Sequence, residues 1–169
     1  RGYYGLAMIE CRIIRDRRDA DVKSLGAISA LSNEDPQSLQ RAIEHFTGEL
    51  NHLNLAETLL IGAYAGSELV GFCRFVLSPH LKLWWCRGLE VVPEWQRRGV
   101  GTALLVTALA HLRAGGAEAV RSDTSSRNHA SQATHIRAGF VLIANAGEDF
   151  DGKWRDDHCY YQWDAQPAE

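Results

Sequence analysis

No stretch of this 169-residue chain approaches the roughly 18 consecutive apolar residues of a membrane-spanning helix. Its first ten residues, RGYYGLAMIE, lack the apolar core of a secretory signal segment. Neither sign of charge dominates. Lys and Arg number 18 against 21 Asp and Glu, a formal net charge of −3, which argues against a dedicated nucleic-acid binder. The four cysteines, Cys11, Cys73, Cys86 and Cys159, form no CxxC pair, which argues against a zinc site and a disulfide framework. His80, His129 and His158 have no metal-ligand spacing, so no metal is expected. These absences point to a cytoplasmic protein with buried, reduced thiols that meets neither nucleic acid nor membrane.

What is present is enough apolar material for one good core: 46% of residues are hydrophobic. Residues 8–165 are expected to form one domain, with residues 1–7 as an extension ahead of Met8. MIECRII alternates Ile9, Cys11 and Ile13 against Glu10 and Arg12, a strand pattern. Val22, Leu25, Ile28 and Leu31 then recur at helical spacing behind an aspartate. A second helix is signalled by Asp35 as cap, Pro36 in the first turn, and Leu39, Ile43, Phe46 and Leu50 on one face. TLLIGAYA and ELVGFCRFVL flank Gly66 and Ser67 and predict an antiparallel hairpin. KLWWCRGLEVV is a further strand, ended by Pro93. A helix over 102–112, a strand at AEAVRSD, a helix over 130–138 and strands at FVLIANA and HCYYQW follow, the last two around the polar loop GEDFDGKWRDD. The order β, α, α, β, β, β, α, β, α, β, β predicts an α/β (α+β) domain with a mixed, mostly antiparallel sheet and helices on both faces.

The most informative stretch is QRRGVGTALL, residues 96–105. It places two arginines and two glycines at the mouth of an apolar helix. The first four N–H groups of a helix have no internal partner, and the helix dipole adds partial positive charge there. Gly99 and Gly101 lack a Cβ, so a ligand can approach the backbone. Arg97 and Arg98 add formal charge, or else face solvent. The combination suits phosphate or pyrophosphate. It is not a Walker loop, because the GxxxxGK lysine is missing. Nor is it a dinucleotide fingerprint, because Leu104 stands at the third glycine position.

Taken with its flanks, LEVVPEWQRRGVGTALL resembles the main acetyl-CoA-binding motif of the GNAT superfamily of N-acetyltransferases. Gln96, Arg97, Arg98, Gly99, Val100 and Gly101 fill that motif completely. The resemblance implies one acetyltransferase domain over residues 8–165, its sheet splayed between the fourth and fifth strands. It implies that backbone N–H groups of residues 97–102, ending at Thr102, wrap the coenzyme A pyrophosphate. Pantetheine would lie in the splay against the backbone around Val91 and Val92. A homodimer is left open.

SDTSSRNHASQATHIRAGF carries the second motif. Asn128, His135, Gly139 and Phe140 stand at the family's offsets, with histidine in place of its usual tyrosine. In the family that tyrosine often protonates the departing thiolate. His135 is therefore expected either to act as that acid or to line the pocket. Asn128 and Ser131 are assigned to the cofactor side, Asn128 as a pantetheine contact or a helix cap. The same string is similar to a branch of aminoglycoside 6′-N-acetyltransferases, where the aspartate matching Asp123 lies near the substrate amine. That branch has a glutamate where this chain has Arg87, and an early Trp-Pro element not found here.

The implied reaction is direct attack of a primary amine of a small molecule on the acetyl thioester. Glu90, Asp123, or a water held by one of them takes the amine proton, and a backbone N–H near Val91 is a candidate oxyanion donor. Alternation turns Glu90 to the face opposite Arg87 unless a bulge intervenes. Trp84, Trp85 and Trp95 are read as an acceptor wall or as core. GEDFDGKWRDD is read as an attractor for a cationic amine or as a solvated loop. Other readings kept open are acetylation of a peptide or protein amine, and a non-catalytic acyl-CoA-binding sensor.

Overall fold

The computed structural model describes residues 8–165. The extension assigned to residues 1–7 lies outside them. Strand β1 (Ile9–Ile13) leads into two helices, α1 (Val22–Ala30) and α2 (Ser38–Asn51). Three antiparallel strands follow: β2 (Thr58–Ala65), β3 (Glu68–Leu77) and β4 (Trp84–Val91). Helix α3 (Val100–Ala114), β5 (Ala119–Ser125) and α4 (His129–Arg137) make the crossover region. The chain closes with β6 (Val141–Ala144), a short pair β7 (Gly147–Glu148) and β8 (Trp154–Arg155), and β9 (His158–Asp164). The short pair sits inside the stretch read from sequence as a plain loop.

Seven strands form one sheet in the order β1-β2-β3-β4-β5-β9-β6, and β4–β5 is its one parallel pair. Helices cover both faces. Leu104, Leu105 and Ala108 of α3 pack with Ile61, Cys73 and Phe75. Leu25, Phe46 and Leu50 of α1 and α2 pack with Leu60 and Phe72 on the other side. A strand buried on both faces needs a continuous apolar run, which is what TLLIGAYA supplies. Arg74 of β3 ties α2 to the sheet, its Nε and Nη2 donating to Glu49 Oε1 at 2.8 and 2.6 Å.

Local signals place most of the boundaries. Asp21 caps α1 by accepting from the Lys23 N–H. Gly66, at φ +62°, opens the two-residue turn between β2 and β3, the first-position glycine such hairpins favour. Asp35 does not cap α2: the helix begins at Ser38 behind Gln37, and Asp35 builds a preceding turn by accepting from the Gln37 N–H. Leu31 and Leu39 lie at the outer ends of their helices and stay exposed.

Two features of β4 prepare the site. It pairs with β5 only through Trp84–Val120, Trp85–Arg121 and Cys86–Ser122, and the two strands then part. Just there its pairing with β3 steps from Phe75–Cys86 to Arg74–Gly88, leaving Arg87 as an extra residue. Such a bulge bends the strand that carries it and resets the alternation of its faces.

Candidate active site

The mouth of α3 lies beside the splay. Gly99 occupies the N-cap position at φ +80°, a left-handed conformation that glycine adopts without penalty. Arg97 also has a positive φ, +59°. No side chain caps the helix, and its first internal bond runs from the Ala103 N–H to the Gly99 carbonyl. Among the described residues, the N–H groups of residues 97–102 therefore have no protein acceptor. The two glycines do different work. A Cβ on Gly99 would meet nothing within 4 Å, so that position is open to a ligand. One on Gly101 would stand 3.2 Å from Thr134 Cγ2, so its smallness serves the packing of α3 on α4. Arg98 stacks on Trp95 at 5.0 Å, and Gln96 Nε2 donates to the Val91 carbonyl at 3.0 Å. The Val92 N–H bonds the Val70 carbonyl on the β3 side, so alternation points the backbone groups of Leu89 and Val91 into the gap.

A cleft of about 200 Å³ fills the fork between β4 and β5. Cys86, Ser122, Asp123, Asn128, Ser131 and His135 line it. On the α3 side, His135 is buried at 2% exposure. Its Nδ1 lies 2.7 Å from the Ser131 carbonyl oxygen and its Nε2 lies 2.7 Å from Ser122 Oγ. Burial lowers the imidazole pKa, opposed by the Ser131 carbonyl and the Asp123 charge. Asn128 caps α4, its side chain accepting from the Ser131 N–H at 3.1 Å. Cys86 is no ready nucleophile, because burial pushes its thiol up to about 12.

The other face of the fork carries the carboxylates. Asp123 accepts from Trp85 Nε1 at 2.7 Å and bonds His158 Nδ1 at 2.6 Å. Trp85 is fully buried, a core residue with one polar handle. Trp84 and Trp95 pack against the α3-side core. Glu90 pairs with Phe72, a member of the α1 and α2 core. The Arg87 bulge thus turns Glu90 to the face of Trp85 and Asp123, where burial raises its carboxyl pKa. Arg87 itself stacks on Phe150 at 4.4 Å and approaches Asp151 at 3.7 Å, pinning the β7–β8 loop over this face.

The chain matches the Acetyltransferase (GNAT) family over residues 24–140, well over half its length. It belongs to the GNAT family. Among curated proteins it is 33% identical over 92 residues to the type 1 aminoglycoside N(6′)-acetyltransferase of Klebsiella aerogenes. That match covers 51% of this chain and 60% of the relative, so the chain spans less than two thirds of that relative's length. Among solved structures, PaiA N-acetyltransferase from Thermoplasma acidophilum in complex with coenzyme A superposes at a TM-score of 0.70. It is 16% identical, with 93% of this chain and 99% of that one covered. The ribosomal-protein-S18-alanine N-acetyltransferase of Escherichia coli gives 0.69 at 18% identity, covering 96% and 97%. At those identities the two structures attest the fold alone.

Three features of the cleft and its rim carry no signal of their placement in the sequence. Ser122 reads as an ordinary strand residue, and its pairing with His135 across 13 positions carries no local signal. His158 joins Asp123 only through the β5–β9 register. The Arg87 bulge is visible only once β3 and β4 are paired.

Proposed function

We propose that this chain is an acetyl-CoA-dependent N-acetyltransferase that acts on a primary amine of a small molecule. The observation that carries the proposal is the run of unpartnered N–H groups over residues 97–102, opening beside the β4–β5 fork. Residues that fit the diphosphate of coenzyme A are therefore present: Arg97, Arg98, Gly99, Val100, Gly101 and Thr102, with Gln96 setting the turn. Pantetheine completes the free edge of β4 at Leu89 and Val91, and Asn128 and Ser131 wall the opposite side; Val92, expected from sequence to join them, has its N–H on the Val70 carbonyl and its carbonyl on the Trp95 N–H and offers no free backbone group. When bound, acetyl-CoA supplies an activated acetyl thioester as a substrate spent at each turnover. The protein's part is to align the amine, remove its proton and donate to the oxygen that gains charge. The Val91 N–H faces the gap for the last of these tasks.

Asp123 and Glu90 lie on the acceptor face. Asp123 is fixed through both carboxylate oxygens by Trp85 and His158, which suits it to hold an ammonium in place. Glu90 has the raised pKa of a carboxylate adapted to take a proton. The acidic residues of the β7–β8 loop, Glu148, Asp149 and Asp151, add negative potential near this face. An aminoglycoside amine is the acceptor that the relative from Klebsiella aerogenes suggests.

The test is calorimetry with acetyl-CoA, followed by thiol release with kanamycin, spermidine and a peptide with an N-terminal alanine. Binding with release on kanamycin or spermidine is the expected result. Release on the peptide alone transfers the assignment to protein amines. Binding with no release on any amine replaces the enzyme by a sensor, and no binding heat removes the proposal altogether.

A further inference from the structure

The Ser122–His135 contact has a fixed polarity. The Ser131 carbonyl oxygen can only accept, so His135 Nδ1 carries the proton in that 2.7 Å bond. In the neutral ring Nε2 is then an acceptor, and Ser122 Oγ donates to it at 2.7 Å. The ring cannot turn away: Tyr161 stacks on it at 5.5 Å and Phe140 meets it edge-on at 5.2 Å. Ser122 stands at the last β4–β5 pair, lining the cleft where the strands part. A hydroxyl in the fork is thus backed by a buried base, whose Nδ1 edge also lies 3.4 Å from Ser131 Oγ at the cleft wall.

We propose that Ser122 is a catalytic residue that carries one proton from the attacking nitrogen to His135 Nε2 and returns it to the departing sulfur. His135 is the positioning residue behind it. The proposal rests on acetyl transfer as the reaction. The nitrogen lone pair forms the bond to the acetyl carbon, and the carbon–sulfur bond breaks with its electron pair on sulfur. Ser122 Oγ takes the nitrogen's proton as its own hydroxyl proton passes to Nε2. The reverse transfer delivers a proton to sulfur. The products are an amide and a thiol, and nothing is oxidised or reduced. This role differs from that of an acid holding its proton at rest, because His135 here begins neutral and only stores the proton in transit.

The imidazole is faced by Cys86 of β4 and Tyr161 of β9, both pushed up by burial, by Asp123 of β5, which is bonded to Trp85 and His158, and α4 adds the exposed Arg137. Protonating Nε2 removes the acceptor, so kcat falls as pH drops through the His135 pKa, which lies below the ordinary 6.5.

The experiment compares wild type, Ser122→Ala and His135→Gln, using whichever of kanamycin, spermidine or the alanine peptide releases thiol fastest. Expected are a fall in kcat of about 100-fold in each variant, the usual scale of acid–base assistance, and a calorimetric acetyl-CoA affinity within about threefold of wild type. The acid limb of the kcat profile disappears in both. An independent readout needs no substrate: imidazole ¹⁵N spectra of the free protein at pH 7.5 give a neutral Nδ1–H ring, and Ser122→Ala shifts the Nε2 resonance. Unchanged kcat in Ser122→Ala overturns the relay, as does an acid limb that survives in His135→Gln or a ring protonated on Nε2. Loss of acetyl-CoA binding in the variants alone also overturns it, since the hydroxyl is then structural. Wild type that binds no acetyl-CoA fails the acetyltransferase assignment itself, a distinct result from intact binding with unaffected variants.

Discussion

Asp123 is constrained through both of its carboxylate oxygens. One carboxylate oxygen accepts from a tryptophan whose ring is fully buried, and the other holds His158. A buried donor that loses its acceptor costs about 1–3 kcal/mol, because the lost protein bond is not replaced by water. Asp123→Ala orphans the Trp85 N–H and is expected to lose stability on that scale. Asp123→Asn keeps a carbonyl oxygen for the indole and is expected to lose clearly less. Urea unfolding of the two variants checks this: equal losses would mean that the indole bond contributes nothing and that only charge matters. Residues of this kind were half legible. Asp123 stood out through a family pattern, yet its partners on β4 and β9 lie 38 and 35 positions away. Gly99 was legible as a position where the bare backbone stays open, and its left-handed conformation at the N-cap became visible only in the structure.

At the scale of elements, what the sequence encoded locally came through, and what depends on pairing did not. The β2–β3 hairpin, the α3 start and the crossover through β5 each rest on contiguous signals: a glycine turn, a glycine-arginine loop, an apolar period. The bulge in β4 rests on a mismatch between two strands, and no single strand carries it. Its consequence reaches the site, since it bends β4 away from β5 and sets the face of Glu90. Deleting Arg87 leaves the pairs Phe75–Cys86 and Arg74–Gly88 in step and so preserves the faces on either side while removing the bend. The straightened strand is free to continue its ladder along β5 and close the gap. The deletion is therefore expected to weaken acetyl-CoA binding by at least about tenfold, some 1.4 kcal/mol, without lowering the melting temperature. Arg87→Ala keeps the extra residue and is expected to bind like wild type. Calorimetry on both variants decides: equal weakening would assign the effect to the guanidinium rather than to the bend.

For the molecule as a whole the fork is the weak seam. The sheet consists of β1 to β4 on one side and β5, β9 and β6 on the other, and three residue pairs join the halves. Helix α3 spans the seam, but the free backbone edge of β4 beyond Cys86 and the open N–H groups at the α3 mouth contribute no ladder bonds. A ligand lying along that edge makes contacts that only the folded chain offers. It then stabilises folding by RT ln(1 + [L]/Kd), about 2.7 kcal/mol at a hundredfold excess over Kd. For a chain of this size that corresponds to a rise in melting temperature of about 5–10 °C. The local signature is more discriminating than the shift. Amide exchange should slow at Leu89, at Val91 and over residues 97–102, whose N–H groups gain acceptors, and stay unchanged at Ile61 and Cys73, which already sit in the paired core. Exchange measured by mass spectrometry with and without acetyl-CoA makes the comparison. Protection spread evenly over the sheet, or a thermal shift without slowing over residues 97–102, would place the ligand elsewhere and leave the fork a seam with no binding role.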